Sequence, residues 1–393
     1  MLRITDHIAG DRIRFHYLNT RADIAELRTF VGNHSALAID TESTGLNCYT
    51  PEWELRTVQV GDAYDSYVIP ARFRKLIEWV MTQDVKWIGH NGPHDIRCID
   101  RFLDYETNVV CIGETHIPSH HHDSRNQKEG GTGHGLKELA IAHVDRQAGK
   151  WEKELNRVFK TIEVPICGEV YKSGPRKGMP KMRKARLAEG WSLVDPRHPA
   201  YIAYAAADPI LTYRVWQYFQ PTVRRHLDLY HFDLAVAGAC DILQRRGMKL
   251  DVPYTQQLSD RYTNQADQAM RVAESMGCRN VHSGKQLADT LLSLGAHLTA
   301  RTPKGSFRTD DKVLRGIMNT SNDPAVRDFV HSVLLAKQLI KRRESYTDAM
   351  LREMDSADRV HASINPLGAR TARMSVSRPP FQQLPTKNRE SDE

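Results

Sequence analysis

Long apolar runs are missing from this sequence of 393 residues. No 18 consecutive residues are apolar, which excludes a membrane-spanning helix. The charged first residues, MLRITDHIAGDRIRFHY, lack the apolar segment of a secretory signal. The six cysteines are scattered without a CxxC pair, which argues against a zinc ribbon or a disulfide framework and favours reduced thiols. We therefore expect a cytoplasmic protein with no membrane partner.

An excess of acidic residues is also missing. The chain has 48 Asp and Glu against 55 Lys and Arg, a formal net charge of +7. This mild positive balance suits a polyanionic partner without proving one. The length and the 40% hydrophobic content are enough for two or three globular domains.

The order of patterns along the chain predicts an α/β region followed by a helical one. Up to residue 225, short apolar runs bounded by turn residues alternate with amphipathic helices. From 226 to 360 strand signals almost vanish, and we expect Gly247, Gly277 and Gly295 to end helices. The last residues, 361–393, are rich in Ser, Arg, Pro and Gln. The expected domains are therefore 1–225, 226–360 and 361–393.

A short apolar run ends in two carboxylates at residues 36–46, ALAIDTESTGL. The uninterrupted run 36–39, followed by Ser, Thr and Gly, predicts a central strand covered on both faces. Because residues two apart on a strand point to the same side, Asp40 and Glu42 should face one site together. Two carboxylates that close raise each other's pKa unless a cation or a proton intervenes. Alone, the pair also fits a strand end that happens to be acidic.

Two further motifs each place a polar residue four positions before an aspartate. GHNGPHDIRC puts Asn91 and Asp95 at the start of a helix, and AYAAADPIL puts Tyr204 and Asp208 on another. Residues four apart share a helix face. With the strand pair, four carboxylates lie on three elements. Such a set can hold two divalent ions about 3.5–4 Å apart, the arrangement that cleaves phosphodiesters. Hard oxygen ligands favour Mg²⁺ or Mn²⁺ over zinc.

The three motifs, in this order from residue 40 to residue 208, resemble those of the DEDD family of 3′–5′ exonucleases, in the variant with Tyr in the third motif. The resemblance implies an RNase H-like fold, a mixed sheet flanked by helices. It implies that Asp40 bridges two metal ions, while Glu42 and Asp208 hold the ion of the nucleophile. Asp95 would support the second ion, and Tyr204 would orient the attacking water.

The second half of the chain resembles the thumb of family A DNA polymerases. The resemblance lies in RRGMKLD at 245–251, SGKQLADTLLSLG at 283–295 and RTPKGSFRTDDKVL at 301–314. RNase D-like enzymes share the catalytic residues, a similar length and a helical second half, so this region decides between DNA and RNA. It implies DNA as the partner, both as a single-stranded 3′ end and as a primer-template duplex.

Residues 360–385, VHASINPLGARTARMSVSRPPFQQLP, resemble the first palm motif of the same family, T-G-R-x-S followed by P-x-x-Q-x-x-P. The matching positions are Thr371, Arg373, Ser375 and Pro385. Ala372 replaces the usual Gly. The resemblance implies that Arg373 contacts the primer terminus, with Gln383 as a weaker candidate.

Other polymerase motifs are absent from these 393 residues, namely the D-Y-S-x-I-E-type and H-D-E-type palm motifs and the R-x-x-x-K-x-x-x-[FY]-G fingers helix. Without those carboxylates there is no second two-metal site, so this chain alone is not expected to polymerise. We expect the exonuclease and thumb portion of a proofreading replication polymerase, such as a phage enzyme in its host's cytoplasm. It would be either a truncated product or one piece of a split enzyme, with palm and fingers on a second polypeptide.

Further DNA contacts are expected from Asn91 and from two other features. Leu46, after the acidic strand, is either a wedge beneath the terminal base or a core residue of a plain turn. The stretch KSGPRKGMPKMRKAR, 172–186, has seven basic residues and no acid, and is either a solvated loop or a track for the phosphate backbone. Its expected contacts are Lys172, Arg176, Lys177, Lys181, Arg183 and Lys184.

Histidines at 116, 120, 121, 122 and 134 have no regular ligand spacing, so we do not expect a zinc site there.

Three functions remain open on the sequence. The first is a metal-dependent 3′–5′ exonuclease that acts on DNA and releases 5′-mononucleotides. The second is an RNA-processing nuclease of RNase D type. The third is a non-catalytic DNA-binding subunit of a split polymerase, against which the intact set of four carboxylates argues.

Overall fold

The computed structural model describes residues 1–384, which form two compact units. The first unit comprises Met1–Arg246 and Ile364–Ser375, and the second comprises Gly247–Ser363 and residues 376–384. Compactness alone does not delimit a domain, so the expected division at 225 and 360 stays a prediction. Pro385, the last residue of the palm-like motif, lies outside the described residues.

The first unit contains nine strands and nine helices of the described chain. Its strands are β1 Leu2–Ile8, β2 Asp11–Tyr17, β3 Ala36–Ser43, β4 Leu55–Gly61, β5 Asp65–Pro70, β6 Lys86–Gly89, β7 Cys111–Glu114, β8 Glu163–Val170 and β9 Pro180–Lys184. Its helices are α1 Asp23–Gly32, α2 Arg74–Met81, α3 Gly92–Leu103, α4 His116–His122, α5 Leu136–His143, α6 Lys150–Phe159, α7 Leu187–Leu193, α8 Pro199–Arg225 and α9 Leu227–Arg246.

Seven strands form one mixed sheet in the order β1-β2-β5-β4-β3-β6-β7. The neighbours β3, β4 and β5 are antiparallel, whereas β3, β6 and β7 run parallel. The central position of β3 follows from its sequence, since Leu37, Ala38 and Ile39 are at most 1% exposed and need cover on both faces. The short apolar runs expected in this part of the chain include the strands β4, β5 and β6.

Helices cover both faces of this sheet. One apolar cluster joins the sheet to α1, α2 and α3 through residues such as Leu27, Ile77 and Ile99. The other joins it to α5, α6 and α8 through residues such as Phe15, Leu155 and Ile210. The sheet is therefore the middle of three layers.

Helix α8 lies close against the sheet because its contact residues are small. Ala205, Ala206 and Ala207 are fully buried. On the sheet side Gly61 leaves room, since a Cβ there would lie 3.1 Å from the Cβ of Pro209. This close approach brings the polar residues of α8 to the level of the sheet.

The second unit is mainly helical. Its helices are α10 Val252–Ser275, α11 Gly284–Ser293, α12 Asp311–Thr320, α13 Pro324–Arg342 and α14 Asp348–Glu353. Its core contains residues of α10, α11, α12 and α13, such as Ala273, Leu291, Leu314 and Phe329. The predicted helix stops are confirmed, because Gly247, Gly277 and Gly295 all have positive φ angles just after helix ends.

Short strands flank the helices of this part of the chain. They are β10 Met248–Lys249, β11 Arg359–Val360, β12 Ser363–Asn365 and β13 Ser375–Ser377. Within the second unit β10 and β11 pair antiparallel, with Met248 opposite Val360.

The predicted fold class, a mixed sheet flanked by helices followed by a helical region, is confirmed. No helix among residues 1–384 is long and apolar enough to cross a membrane. All six cysteines are free thiols.

Candidate active site

The acidic pair lies in the C-terminal half of β3. Asp40 pairs in register with Gln59 of β4, and Glu42 pairs with Thr57, before a register shift at Ser43. Both carboxylates therefore lie on one face, as the spacing of two predicted. Glu42 is 9% exposed, and Asp40 is half-buried. An irregular strand end of this kind commonly re-aims side chains beside a site.

Helix α8 adds the third carboxylate. Asp208 is 6% exposed, and its carboxylate oxygen lies within 4.8 Å of one oxygen each of Asp40 and Glu42. These three form the one group of three or more His, Cys, Asp or Glu residues among residues 1–384 that could hold a metal ion. We call them the acidic cluster. Three converging carboxylates are the hard oxygen donors that Mg²⁺ and Mn²⁺ prefer, so the residues fit a divalent ion.

Asp95 approaches the acidic cluster from α3 but is not part of it. Its carboxylate accepts a hydrogen bond from the Thr41 hydroxyl at 2.6 Å. Burial, followed by the charge of Asp40, raises the pKa of Asp95 well above its usual range. The structure thus brings three of the four predicted acids together, with the fourth close enough to sense the charge of Asp40.

Tyr204 lies one turn before Asp208 on α8, as predicted. Its ring is 5.4 Å from the ring of Trp191, centroid to centroid. Burial and then the negative charges of Glu42 and Asp40 raise its pKa above the usual value. The phenol is therefore neutral at neutral pH and keeps a hydroxyl that can donate or accept a hydrogen bond.

Lys137, on α5, is a site residue that the sequence analysis missed. Its ammonium donates to Oδ1 of Asp208 and lies 4.6 Å from the ring centroid of Tyr204. Its side chain is 16% exposed. Burial lowers the pKa of Lys137 to about 8, although Asp40 and Glu42 oppose the shift. Helix α5 thus places the ammonium of Lys137 against the acidic cluster, to which α8 contributes Asp208.

The acidic cluster resists full ionisation. Burial raises the pKa of Asp40 to about 7, against the opposing charge of Lys137. Burial and then the charge of Asp40 raise the pKa of Glu42 well above its usual range. Carboxylates at such short range need a proton or a cation between them. This charge balance is the electrostatic reason why the acidic cluster fits a cation.

Glu114 at the end of β7 was also missed. It is 3% exposed, and its carboxylate accepts the backbone N–H groups of Asn91 and Gly92 at 2.7 Å and of His116 at 3.1 Å. It therefore fixes the starts of α3 and α4, and through α3 it positions Asp95. Burial raises the pKa of Glu114 to about 7, opposed by these three hydrogen bonds.

Asn91 lies just outside α3, which begins at Gly92, so the expectation that it shares a helix face with Asp95 is wrong. Its backbone is left-handed, with φ 63°, and its side chain is exposed. Leu46 is 62% exposed in a loop whose Gly45 carbonyl accepts hydrogen bonds from Ser43 and Trp53. The alternative of a core leucine is therefore wrong, and the contact with a terminal base stays a prediction.

The basic run forms a hairpin, β8 and β9, where the sequence analysis expected a loop. Lys172, Arg176, Lys177 and Lys184 are exposed, and Lys181 and Arg183 are half-exposed. In the first unit Arg373 is exposed, as is Gln383 in the second. Their contacts with DNA stay predictions.

Ala372 has a left-handed φ of 55°. This conformation is the one that favours glycine, and it explains why a Gly is usual at this position of the palm-like motif.

The histidines of α4 make structural contacts. His121 pairs with Asp233 of α9 at 2.7 Å, and His120 lies 3.1 Å from the Ala369 carbonyl. His134 lies 3.1 Å from the Ser119 hydroxyl.

Comparison with known proteins agrees with this arrangement. Residues 15–156 match the family model "3'-5' exonuclease", which includes Asp40, Glu42 and Asp95, and residues 252–393 match "DNA polymerase family A". The DNA polymerase of Mycobacterium phage D29 is 28% identical over 99% of this chain and 62% of its own length. The chain is thus similar to family A DNA polymerases over residues 252–393 and to 3′–5′ exonucleases over residues 15–156.

Further DNA polymerases are similar over the same or a smaller part of the chain. The DNA polymerase of Mycobacterium phage L5 is also 28% identical, over 99% of this chain. DNA polymerase I of Chloroflexus aurantiacus is 29% identical over 48% of the chain. The chain spans 62% of the length of each of the two phage polymerases.

Among solved structures, the POL domain of Pol1 from M. smegmatis, in complex with a DNA primer-template and dNTP, shares the fold. Its TM-score is 0.60 at 14% identity, covering 95% of this chain and 56% of that one.

Proposed function

We propose that this chain is part of a family A DNA polymerase and is a metal-dependent 3′–5′ exonuclease that removes 5′-mononucleotides from DNA and so proofreads during replication. The observation that carries the proposal is the convergence of Asp40, Glu42 and Asp208 within 4.8 Å, beside Tyr204. Three carboxylates from β3 and α8, with Asp95 of α3 beside them, have no structural need to meet at the edge of a buried core. A nuclease that binds two divalent ions has that need.

The protein's own residues would hold the metal ions, orient the attacking water and balance the charge of the site. Asp40, Glu42 and Asp208 would hold Mg²⁺ or Mn²⁺, with Asp95 supporting a second ion. Bound divalent ions supply Lewis-acid activation of water and stabilise the leaving oxygen. Tyr204, a neutral phenol, can hydrogen-bond the attacking water and fix its direction. Lys137 balances the charge of the acidic cluster until a metal ion binds.

DNA is favoured over RNA as the substrate. The match of residues 252–393 to the polymerase family, together with the phage relatives, supports DNA, whereas an RNase D-like enzyme needs no such region. We propose contacts to the 3′ end from Leu46 and Asn91, and to primer-template duplex from Arg373 and Gln383.

Polymerisation is proposed only with palm and fingers present, on the same or on a second polypeptide, because residues 1–393 lack their motifs. Nucleotide incorporation on a primed template, with and without a palm and fingers fragment, tests this part. We also propose that the protein acts in the cytoplasm of a bacterial host, which suits its free thiols.

The nuclease proposal is tested by digestion of 5′-labelled single strands of DNA and RNA of the same sequence, in Mn²⁺ and in EDTA. We expect stepwise shortening of the DNA from its 3′ end, dependent on metal. Asp208→Asn should lower the rate by at least about a hundredfold while DNA binding is retained, because several kcal/mol of charge stabilisation is lost. Asp228→Asn, an exposed aspartate of α9, is the matched control and should leave the rate unchanged.

Preferred digestion of RNA would favour the RNase D alternative. Equal rates for Asp208→Asn and the wild type would refute the site, and binding without digestion would favour the non-catalytic subunit.

A further inference from the structure

The hairpin β8–β9 lies between the two regions that match known families, 15–156 and 252–393. Near its base Glu163 pairs with Lys184 and Val164 with Arg183. Residues 171–179 form its far end, which we call the hairpin tip. The tip is ordered by its own backbone, since Gly178 N–H donates to the Tyr171 carbonyl at 2.9 Å and Tyr171 N–H donates to Met179 at 3.0 Å.

The positive charges of the hairpin fall into two groups. On the strands every cation has an acidic partner: Lys181 with Glu169 at 3.0 Å, Arg183 with Glu189 at 2.7 Å, and Lys184 with Glu163 at 2.9 Å. In the tip Lys172, Arg176 and Lys177 are exposed and have no ion-pair partner among residues 1–384. No acidic residue occurs between 169 and 189. The tip is thus a local excess of three positive charges.

The tip also presents flat and apolar surface beside these charges. The guanidinium of Arg176 lies 5.9 Å from the ring centroid of Tyr171. Met179 is 57% exposed and Val170 is 47% exposed. Cations next to an aromatic ring and exposed apolar side chains are the features with which proteins bind single-stranded nucleic acid, phosphates on the cations and bases on the ring.

The base of the hairpin is tied to the acidic cluster through α7. Ala185 N–H donates to the Ile162 carbonyl at 2.8 Å, and Arg183 pairs with Glu189 of α7. On the same helix Trp191 packs against Tyr204. The tip lies beyond the pair of Val170 with Pro180, and the four steps of β9 from Lys184 to Pro180 span about 13 Å at 3.3 Å each.

We propose that the hairpin tip binds the phosphate backbone of single-stranded DNA several nucleotides from the 3′ end that the acidic cluster receives. This inference rests on the proposed exonuclease function. The paired cations of the strands hold the hairpin together, and the unpaired cations of the tip bind the strand. A substrate too short to reach the tip gains nothing from it.

Equilibrium binding to a fluorescent 20-nucleotide oligo-dT, in EDTA so that no cleavage occurs, tests the proposal over a range of salt concentrations. The tip variant carries Lys172→Ser, Arg176→Ser and Lys177→Ser. Each phosphate contact on a single strand contributes about 0.7 to the salt slope, so three lost contacts should lower the slope by about 2 and weaken binding about a hundredfold at 0.1 M salt. The control variant carries Asp195→Asn with Arg197→Gln, which removes an exposed ion pair of the same unit at constant net charge. It should bind as the wild type does.

A three-nucleotide oligo-dT should bind equally well to the wild type and the tip variant. In Mn²⁺, hydrolysis of thymidine 5′-(p-nitrophenyl) phosphate, which reaches the acidic cluster alone, should also be equal in both. An unchanged salt slope in the tip variant would overturn the proposal, as would an equal loss in the control variant.

If the tip variant loses hydrolysis of the small ester, its fold is damaged, and the single substitutions Arg176→Gln and Lys177→Gln then decide, each with an expected slope change of about 0.7. If the wild type does not hydrolyse the small ester, the exonuclease function fails, whereas the salt slope still tests the tip.

Discussion

Replacing Lys137 with Met should destabilise the metal-free protein, and by more at pH 8 than at pH 5.5. The side chains of Lys137 and Asp208 are 16% and 9% exposed. Removing one partner of a buried ion pair costs about 3–5 kcal/mol, because the other charge stays buried without compensation. We expect a loss of about 3 kcal/mol at pH 8, at the lower end of that range because the pair keeps some contact with water and because burial lowers the pKa of Lys137 itself to about 8.

The pH dependence follows from the pKa of Asp40, which burial raises to about 7 from its ordinary 3.8. Its contribution to stability is fully present below about pH 4 and is lost as the pH rises through 7. At pH 5.5 Asp40 is protonated in the folded protein, so the cluster carries less charge for Lys137 to balance. The cost of Lys137→Met should then fall to less than half of its value at pH 8.

Urea unfolding in EDTA at the two pH values measures this difference. Lys150→Met is the matched control, since Lys150 lies 2.7 Å from Asp6 and 4.7 Å from the ring centroid of Trp151, with both ion-pair side chains about one third exposed. It should cost at most about 1 kcal/mol at both pH values. The pKa of Asp6 is lowered, by hydrogen bonds to Lys150, His7 and Trp151 that outweigh burial, so its charge does not change.

Divalent metal should narrow the gap between the Lys137 variant and the wild type, because the ion supplies the missing positive charge. At one Mn²⁺ concentration the protein with the lower Kd gains more stability, about 2.7 kcal/mol at a hundredfold excess over Kd, and the Lys137 variant has no ammonium for the ion to displace. If Lys137→Met costs the same at both pH values and in Mn²⁺, Lys137 is a packing residue and the charge argument is wrong.

Two other substitutions separate roles within the site. Tyr204→Phe should keep the stabilisation by Mn²⁺ and lower the rate of DNA digestion about tenfold to a hundredfold, because only the hydroxyl that orients water is removed; an unchanged rate would identify Tyr204 as a packing residue. Glu114→Ala should lower the free energy of unfolding by about 3 kcal/mol, measured in urea, since one buried and two partly buried N–H groups lose their acceptor at about 1 kcal/mol each. Glu114→Gln, which keeps one acceptor oxygen, should cost less, and wild-type stability in Glu114→Ala would mean that the three donors find other partners.

The features that could be predicted from the sequence are local ones. The period of a strand aligns Asp40 with Glu42, and one turn of helix aligns Tyr204 with Asp208. The uninterrupted apolar run before Asp40 indicated a central strand, and single glycines indicated where helices of the second unit end. Each of these follows from a few neighbouring residues, so the missing tertiary structure did not matter.

The features that were missed depend on distant partners. Lys137 is separated from Asp208 by 71 residues, and nothing in GLKELA distinguishes it from a solvated lysine. Glu114 accepts backbone N–H groups, which have no sequence signature. The hairpin strands are exposed on most of their length, so they lack the buried alternate face by which a strand is recognised.

The segment Ile364–Ser375 belongs to the first unit although 117 residues of the other unit separate it from Arg246. Leu367 is 5% exposed among Ile117, Val223 and Tyr230, and the Ile364 N–H donates to the Gln244 side chain at 3.0 Å. A fragment of residues 1–246 would therefore leave the apolar surface around Ile117, Val223 and Tyr230 exposed. A free peptide of the twelve residues Ile364–Ser375 should bind to that surface. Titration calorimetry can detect this non-covalent association of the two pieces.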